Sequence, residues 1–210
     1  MSSMKSEASA SPTRMRSEDR RALILEAATA VFGEHGYHGA TTDQIARAAG
    51  VSQPYVVRMF GGKEAMFLEV LDRTLQRIIA SFDAAVEENR ASGAEGEEAL
   101  AHCIGRNYAD LLSDRGLLLS LMQAFMLGAD PVVGPHARAG FLRVYRYLRE
   151  VVGLDATAAN DFLAYGMFLN TIVGVRMVDD YENDSSAREM LDEILPTKLE
   201  LLMTDRSSAS

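Results

Sequence analysis

The side chains best placed to make specific polar contacts lie between Thr41 and Phe60. Thr41 and Gln44 have the spacing of a capping box, which starts a short helix. Gly50 ends that helix, Val51 turns inward, and Ser52 caps a second helix that tolerates Pro54 in its first turn. Two helices joined by a three- or four-residue turn containing glycine make a helix-turn-helix, whose second helix can enter a DNA major groove. Ile45, Ala46 and Ala49 are apolar or small where the helices must touch. Gln44, Gln53, Tyr55 and Arg58 supply the donors and acceptors that base edges and phosphates require. The chemistry expected here is recognition, with no covalent step.

Lys63 adds an independent signal. A cation in the first turn of a helix opposes the macrodipole. Beside Gly61-Gly62, which leave the backbone N–H groups open, it forms an anion site that a DNA phosphate would complete. His38, just before the first helix of the motif, is a further candidate for a DNA contact.

Three runs carry a resemblance: Phe32-Gly33-Glu34-His35-Gly36-Tyr37, then Thr41 through Ser52, then Phe60-Gly61-Gly62-Lys63-Glu64-Ala65. Over residues 18 to 70 the chain resembles the DNA-binding signature of the TetR-type (TetR/AcrR) bacterial regulators. One departure stands out. The family usually has tyrosine three residues before the position of Phe60, where this chain has Val57; its own Tyr55 sits on another helical face. The resemblance implies a dimeric repressor of a pseudo-palindromic operator in double-stranded DNA, released by a small-molecule effector. The DNA-contacting set would be Thr41, Thr42, Gln44, Ser52, Gln53, Pro54, Tyr55, Arg58 and Lys63. Thr42 and Lys63 would hold phosphates, Gln53 and Tyr55 would read bases, and Arg58 could do either.

The elements around the motif read as all-α: an N-terminal three-helix helix-turn-helix domain followed by a C-terminal helical bundle for ligand binding and dimerisation. Residues 1–16 read as a disordered arm, 17–62 as the DNA-binding domain, 63–90 as a long connecting helix and 91–204 as the C-terminal domain. The first helix, from about Ser17 to Gly36, should turn Leu23, Ile24, Ala27, Ala28, Val31 and Phe32 inward. The long helix carries a single stripe from Phe67 to Val86 at spacings of three and four. Ser92 to Gly96 is a polar break. Further helices are expected at about 97–113, 115–127, 135–152, 156–178 and 186–203, with Pro196 kinking or splitting the last.

The net charge of −9 looks wrong for a DNA binder until it is divided. Residues 1–64 hold eight Lys/Arg against seven Asp/Glu, the remainder thirteen against twenty-three, so a polyanion must meet the N-terminal third. No apolar run reaches the roughly 18 residues of a membrane span, and the single cysteine, Cys103, demands no oxidising compartment. A cytoplasmic protein with no membrane association is expected. The four histidines show no metal spacing and Gly62-Lys63 fails the P-loop pattern, so no metal, cofactor or enzymatic activity is inferred.

Leu117 to Leu127 is apolar nearly all round, which suggests a helix buried on every side. With 11 methionines and no tryptophan, the chain suggests a core able to repack around a largely apolar, neutral or cationic ligand. Tyr108, Met122, Phe125, Met126, Phe141, Tyr145, Met167 and Asn170 are the candidate lining; any one of the methionines or phenylalanines could equally be plain core. Dimerisation is assigned to 156–178 (Phe162, Leu163, Phe168, Leu169, Ile172, Val173, Val175) and 186–203 (Met190, Leu191, Ile194, Leu195, Leu199, Leu202). The rival reading is a DNA-bound regulator without a small ligand, controlled by a protein partner or by abundance.

Overall fold

A computed structural model of the protein describes residues 17–93 and 96–195, together with Leu199. The arm at 1–16, residues 94 and 95 of the polar break, Pro196 and Leu202 lie outside the described residues. The helices in order are α1 (Ser17–Gly39), α2 (Thr42–Ala48), α3 (Gln53–Phe60), α4 (Lys63–Ser92), α5 (Glu97–Ala109), α6 (Arg115–Met126), α7 (Val133–Tyr147), α8 (Ala156–Gly174) and α9 (Ser185–Ile194). Short 3₁₀ or π segments extend α5 and α7 and follow α8, so the expected elements at 97–113 and 135–152 are each an α-helix with a differently wound last turn.

Local chemistry accounts for most boundaries. In α1 the regular helix stops at Gly36, whose φ of 69° is the left-handed conformation glycine takes without strain. Thr41 and Gln44 make the expected reciprocal cap: Gln44 N–H donates to Thr41 Oγ1 (3.2 Å) and Thr41 N–H to Gln44 Oε1 (2.8 Å). Ser52 occupies the N-cap position of α3, but its hydroxyl makes no capping bond. Pro54 removes one N–H that such a cap would use, and the next, from Tyr55, donates to the Ser52 carbonyl (3.0 Å). Asp114, Asp155 and Asp184 cap α6, α8 and α9.

Two apolar clusters form the interior. The N-terminal one gathers Ile24, Phe32, Ile45, Val56, Phe60, Met66 and Phe67. Ala124 of α6 and Val133 and Ala137 of α7 belong to the same cluster, so the bundle completes the core of the DNA-binding domain instead of hanging from it by α4 alone. The second cluster fills the bundle from Leu75 of α4 to Leu195 after α9. The long helix runs through both, and its stripe from Phe67 to Val86 is buried as its spacing predicts.

α1 and α6 share the most extensive contact of any pair of helices. Gly33 and Gly116 permit it: a Cβ on Gly33 would lie 2.6 Å from the Cα of Gly116. Ser120 of α6, fully buried, donates to the Thr29 carbonyl of α1 at 3.4 Å. Two expectations change. Leu23 is 45% exposed, on the outer side of α1. And α6 is buried along Leu117, Leu118, Leu121 and Ala124 but not all round, since Met126 at its end is 79% exposed.

Candidate nucleic-acid interface and associated cavity

α2 and α3 meet through Ile45, Ala46 and Val56, all buried, with Gly50 (φ 64°) in the turn between them. The turn is closed by Val51 N–H donating to the Ala46 carbonyl at 2.9 Å. Val56 and Phe60 point into the core, which leaves Ser52, Pro54 and Arg58 exposed and Gln53, Tyr55 and Val57 half-buried. Gln53 Nε2 donates to Thr42 Oγ1 at 3.1 Å, so the starts of the two helices are tied by two of the side chains singled out from sequence. The Arg58 guanidinium lies 5.3 Å from the centre of the Tyr55 ring. Thr41 is exposed, and Thr41 and Gln44 are engaged in their capping box.

Lys63 opens α4 and folds back over the preceding loop. Its Nζ is 4.8 Å from the Tyr37 ring centre and donates weakly to the His38 carbonyl at 3.4 Å. An ammonium has three donors, so the site keeps capacity for an anion. Sequence reasoning missed Arg21. It donates to the Met59 carbonyl (3.0 Å), pairs with Glu69, and sits 4.4 Å from the Phe60 ring centre. One α1 side chain thus holds the end of α3 against α4. An arginine in a solvated first helix carries no local signature of that role.

The C-terminal bundle contains a partly open apolar cavity of about 50 Å³. Among the candidates, Tyr108, Phe125, Phe141, Met167 and Asn170 line it, together with Leu75, Ile78 and Phe82 from α4 and Leu163 from α8. Tyr145 lines instead an open groove of about 420 Å³ between α7 and α8, shared with Phe141, Leu163 and Met167. Met122 and Met126 line neither void, the latter because its own side chain, at the end of α6, is 79% exposed. Tyr108 donates to Asn170 Oδ1 at 2.8 Å, and both residues are buried. Burial pushes the Tyr108 phenol up to about 12, partly opposed by that hydrogen bond, so it stays neutral near pH 7.

On the assigned dimer helices, Leu169, Ile172, Val173, Leu191, Ile194 and Leu195 are used inside the protomer. The apolar groups that α8 exposes are Tyr165, Phe168 and Val175 at its end. No described helix is long and apolar enough to cross a membrane, and no group of three or more metal-ligating side chains occurs among the described residues.

A helical protein whose N-terminal domain presents a helix-turn-helix on a bundle containing an apolar void is a defined class of molecule. Residues 24–70 match the family described as bacterial regulatory proteins, tetR family. The transcriptional activator FasR of Mycolicibacterium smegmatis is 39% identical over 67 residues, which is 32% of this chain and 31% of FasR. The transcriptional repressor NicS of Pseudomonas putida is 35% identical over 92 residues, 43% of this chain and 42% of NicS. The matched part is therefore well under half of either relative. A TetR-like transcriptional regulator from Rhodococcus sp. RHA1 shares the fold over 92% of this chain and 99% of its own, with a TM-score of 0.60 at 18% identity. Residues 24–70 thus carry the sequence of a tetR-family DNA-binding domain, and the chain shares its fold with that solved structure along nearly its whole length.

Proposed function

We propose that the protein is a cytoplasmic, homodimeric repressor that binds a pseudo-palindromic operator and is released by a small, largely apolar ligand held in the C-terminal bundle. The observation that carries this reading is α3, anchored by Val56 and Phe60 and by Arg21, with Arg58 exposed and Gln53 and Tyr55 half-buried beside it. Lys63 and Thr42 position the duplex through phosphates, while Gln53 and Tyr55 read base edges or a thymine methyl group. Gln53 must exchange its bond to Thr42 for one to a base. Tyr165, Phe168 and Val175 on α8 supply apolar surface for the two-fold contact.

The bundle is coupled to the reading helices by two routes. α4 starts beside α3 and lines the cavity with Leu75, Ile78 and Phe82, and α6 lies against α1 across Gly33 and Gly116. A ligand that prefers the DNA-incompetent arrangement by a few kcal/mol shifts the population, and operator DNA must weaken that ligand by the same factor. The test is footprinting of the purified protein across genomic DNA, followed by variants on the site found. Gln53→Ala should relax preference at one base position per half-site, by about 1–3 kcal/mol. Lys63→Ala should weaken all sequences alike and flatten the salt dependence by about one counterion per lost contact. Unchanged sequence preference in Gln53→Ala would remove the base-reading role.

One observation favours a second reading, a DNA-binding regulator without a small ligand: the inner cavity of about 50 Å³ is far below the roughly 300 Å³ at which ligand sites begin. Operator binding that no hydrophobic compound alters would select it.

A further inference from the structure

We infer that the cavity takes an uncharged ligand with one hydrogen-bonding oxygen on an otherwise apolar frame, seated by the Asn170 amide and admitted between α7 and α8. The inference rests on the reading of the bundle as the effector-binding part.

The polar content of the cavity comes down to one pair. Apart from Tyr108 and Asn170, the lining is aliphatic, aromatic, Met167 and Gly166, and no charged side chain lines either the cavity or the outer groove. Asn170 is 2% exposed, and its Oδ1 accepts from the Tyr108 hydroxyl at 2.8 Å. Its Nδ2 donates to nothing among the described residues. Among those residues no side-chain nitrogen or oxygen sealed from solvent-sized space lacks a partner, so this nitrogen abuts the void. An amide N–H that faces a largely apolar void without a partner rewards a matching acceptor and penalises a ligand without one.

Charge is selected by the same lining. A carboxylate or ammonium would lose its hydration and meet no counter-ion, whereas a carbonyl, ether or hydroxyl oxygen needs only the one donor present. Tyr108 stays a neutral phenol, so it offers no compensating charge either.

The path follows from the two voids. Phe141, Leu163 and Met167 line both the inner cavity and the groove between α7 and α8, so these three side chains are the partition between them. Methionine is the most adaptable of apolar side chains, and Phe141 is 37% exposed, with room to swing outward. With the partition turned aside, the two voids merge into a space within the roughly 300–1,000 Å³ range of small-molecule sites.

The chain has no tryptophan, so Phe141→Trp installs a single fluorophore at the partition. Its emission is followed at pH 7 during titration with 2-decanone, decanoate, decylammonium and n-butylbenzene, with calorimetry on the unsubstituted chain in parallel. The ketone should bind at least tenfold tighter than either ion. Asn170→Leu should weaken the ketone about tenfold, one neutral hydrogen bond, and leave n-butylbenzene unchanged or tighter. Tyr108→Phe keeps the buried ring and removes only the hydroxyl that orients the amide, so a several-fold loss of ketone affinity checks the pair even where Asn170→Leu folds poorly. Either ion binding as well as the ketone, ketone binding indifferent to both substitutions, or no response to any of the four probes overturns the inference. Operator affinity is measured separately. Head-group preference without operator release sinks ligand-controlled repression and leaves the inference standing. Release by an ion that the ketone cannot reproduce does the reverse.

Discussion

Phe67 and Phe162 are the same side chain in two settings. Phe67 is fully buried, with the rings of Phe32 and Tyr37 each 4.9 Å from its own, in a cluster that uses residues from α1 to α4, α6 and α7. Phe162 is half-buried, edge-on to Phe82 at 5.6 Å, and faces a void on its other side. The N-terminal core is closed; the bundle core is left partly open. The contrast fits the roles proposed for the two regions. A reading helix must keep one geometry to match base edges, while a site that accepts a ligand must be able to repack.

Truncation should separate the two most sharply. Phe67→Ala should cost about 3–5 kcal/mol, the range for a large aromatic in a closed core, and abolish operator binding. Phe162→Ala should cost roughly half as much or less, because contacts are already missing on one side of the ring. Urea unfolding of both variants checks this, and equal losses would erase the distinction.

Alkaline unfolding gives the next largest effect. The unfolded Tyr108 phenol titrates near its ordinary value of 10 and the folded one near 12. Below pH 10 both states hold the proton and stability is intact. Between pH 10 and 12 the unfolded state gives it up first, so about 2–3 kcal/mol of stability is lost on raising the pH. Tyr147, whose phenol is pushed up by burial and by its hydrogen bond to Asp83, adds in the same direction. Thermal melts from pH 9 to 12 should show a shallower fall in Tyr108→Phe than in the parent chain.

The α1–α6 crossing tests whether the regions act as one body. Gly33→Ala places a methyl against the Gly116 backbone and should cost about 1–3 kcal/mol by overpacking. Gly105→Ala, with nothing within 4 Å of the added carbon, should instead stabilise α5 by somewhat under 1 kcal/mol. Operator affinity should fall in the first variant and hold in the second. The smallest expected effect is Arg21→Met. It leaves the Met59 carbonyl without its donor and should cost about 1 kcal/mol, with a measurable drop in operator affinity although Arg21 itself faces Glu69 and Phe60.

The helices and the helix-turn-helix were legible in the sequence because their signals are local. The Thr41–Gln44 box, the glycines at 36 and 50 and the stripe from Phe67 to Val86 act over three or four residues, which is the reach of a helical turn. The exposure of Arg58 followed once Val56 and Phe60 were inside, whereas Gln53, at the same helical face as those two, is half-buried and bonded to Thr42. Where periodicity marked an apolar face, it did not name the neighbour that would cover it. Met126 and Leu23 were expected inside and face out, Leu191 and Ile194 were expected between protomers and fill one, and Ala124, Val133 and Ala137 close a core that begins a hundred residues earlier. The cavity itself is the mismatch between surfaces from α4, α5, α6, α7 and α8, and the pairing of Tyr108 with Asn170 joins residues 62 apart. Chain spacing of a few residues determines which segments coil and where they stop. Whether two such segments meet across glycine, across a filled core or across a void depends on the shapes of all the others, and only the tertiary structure decides it.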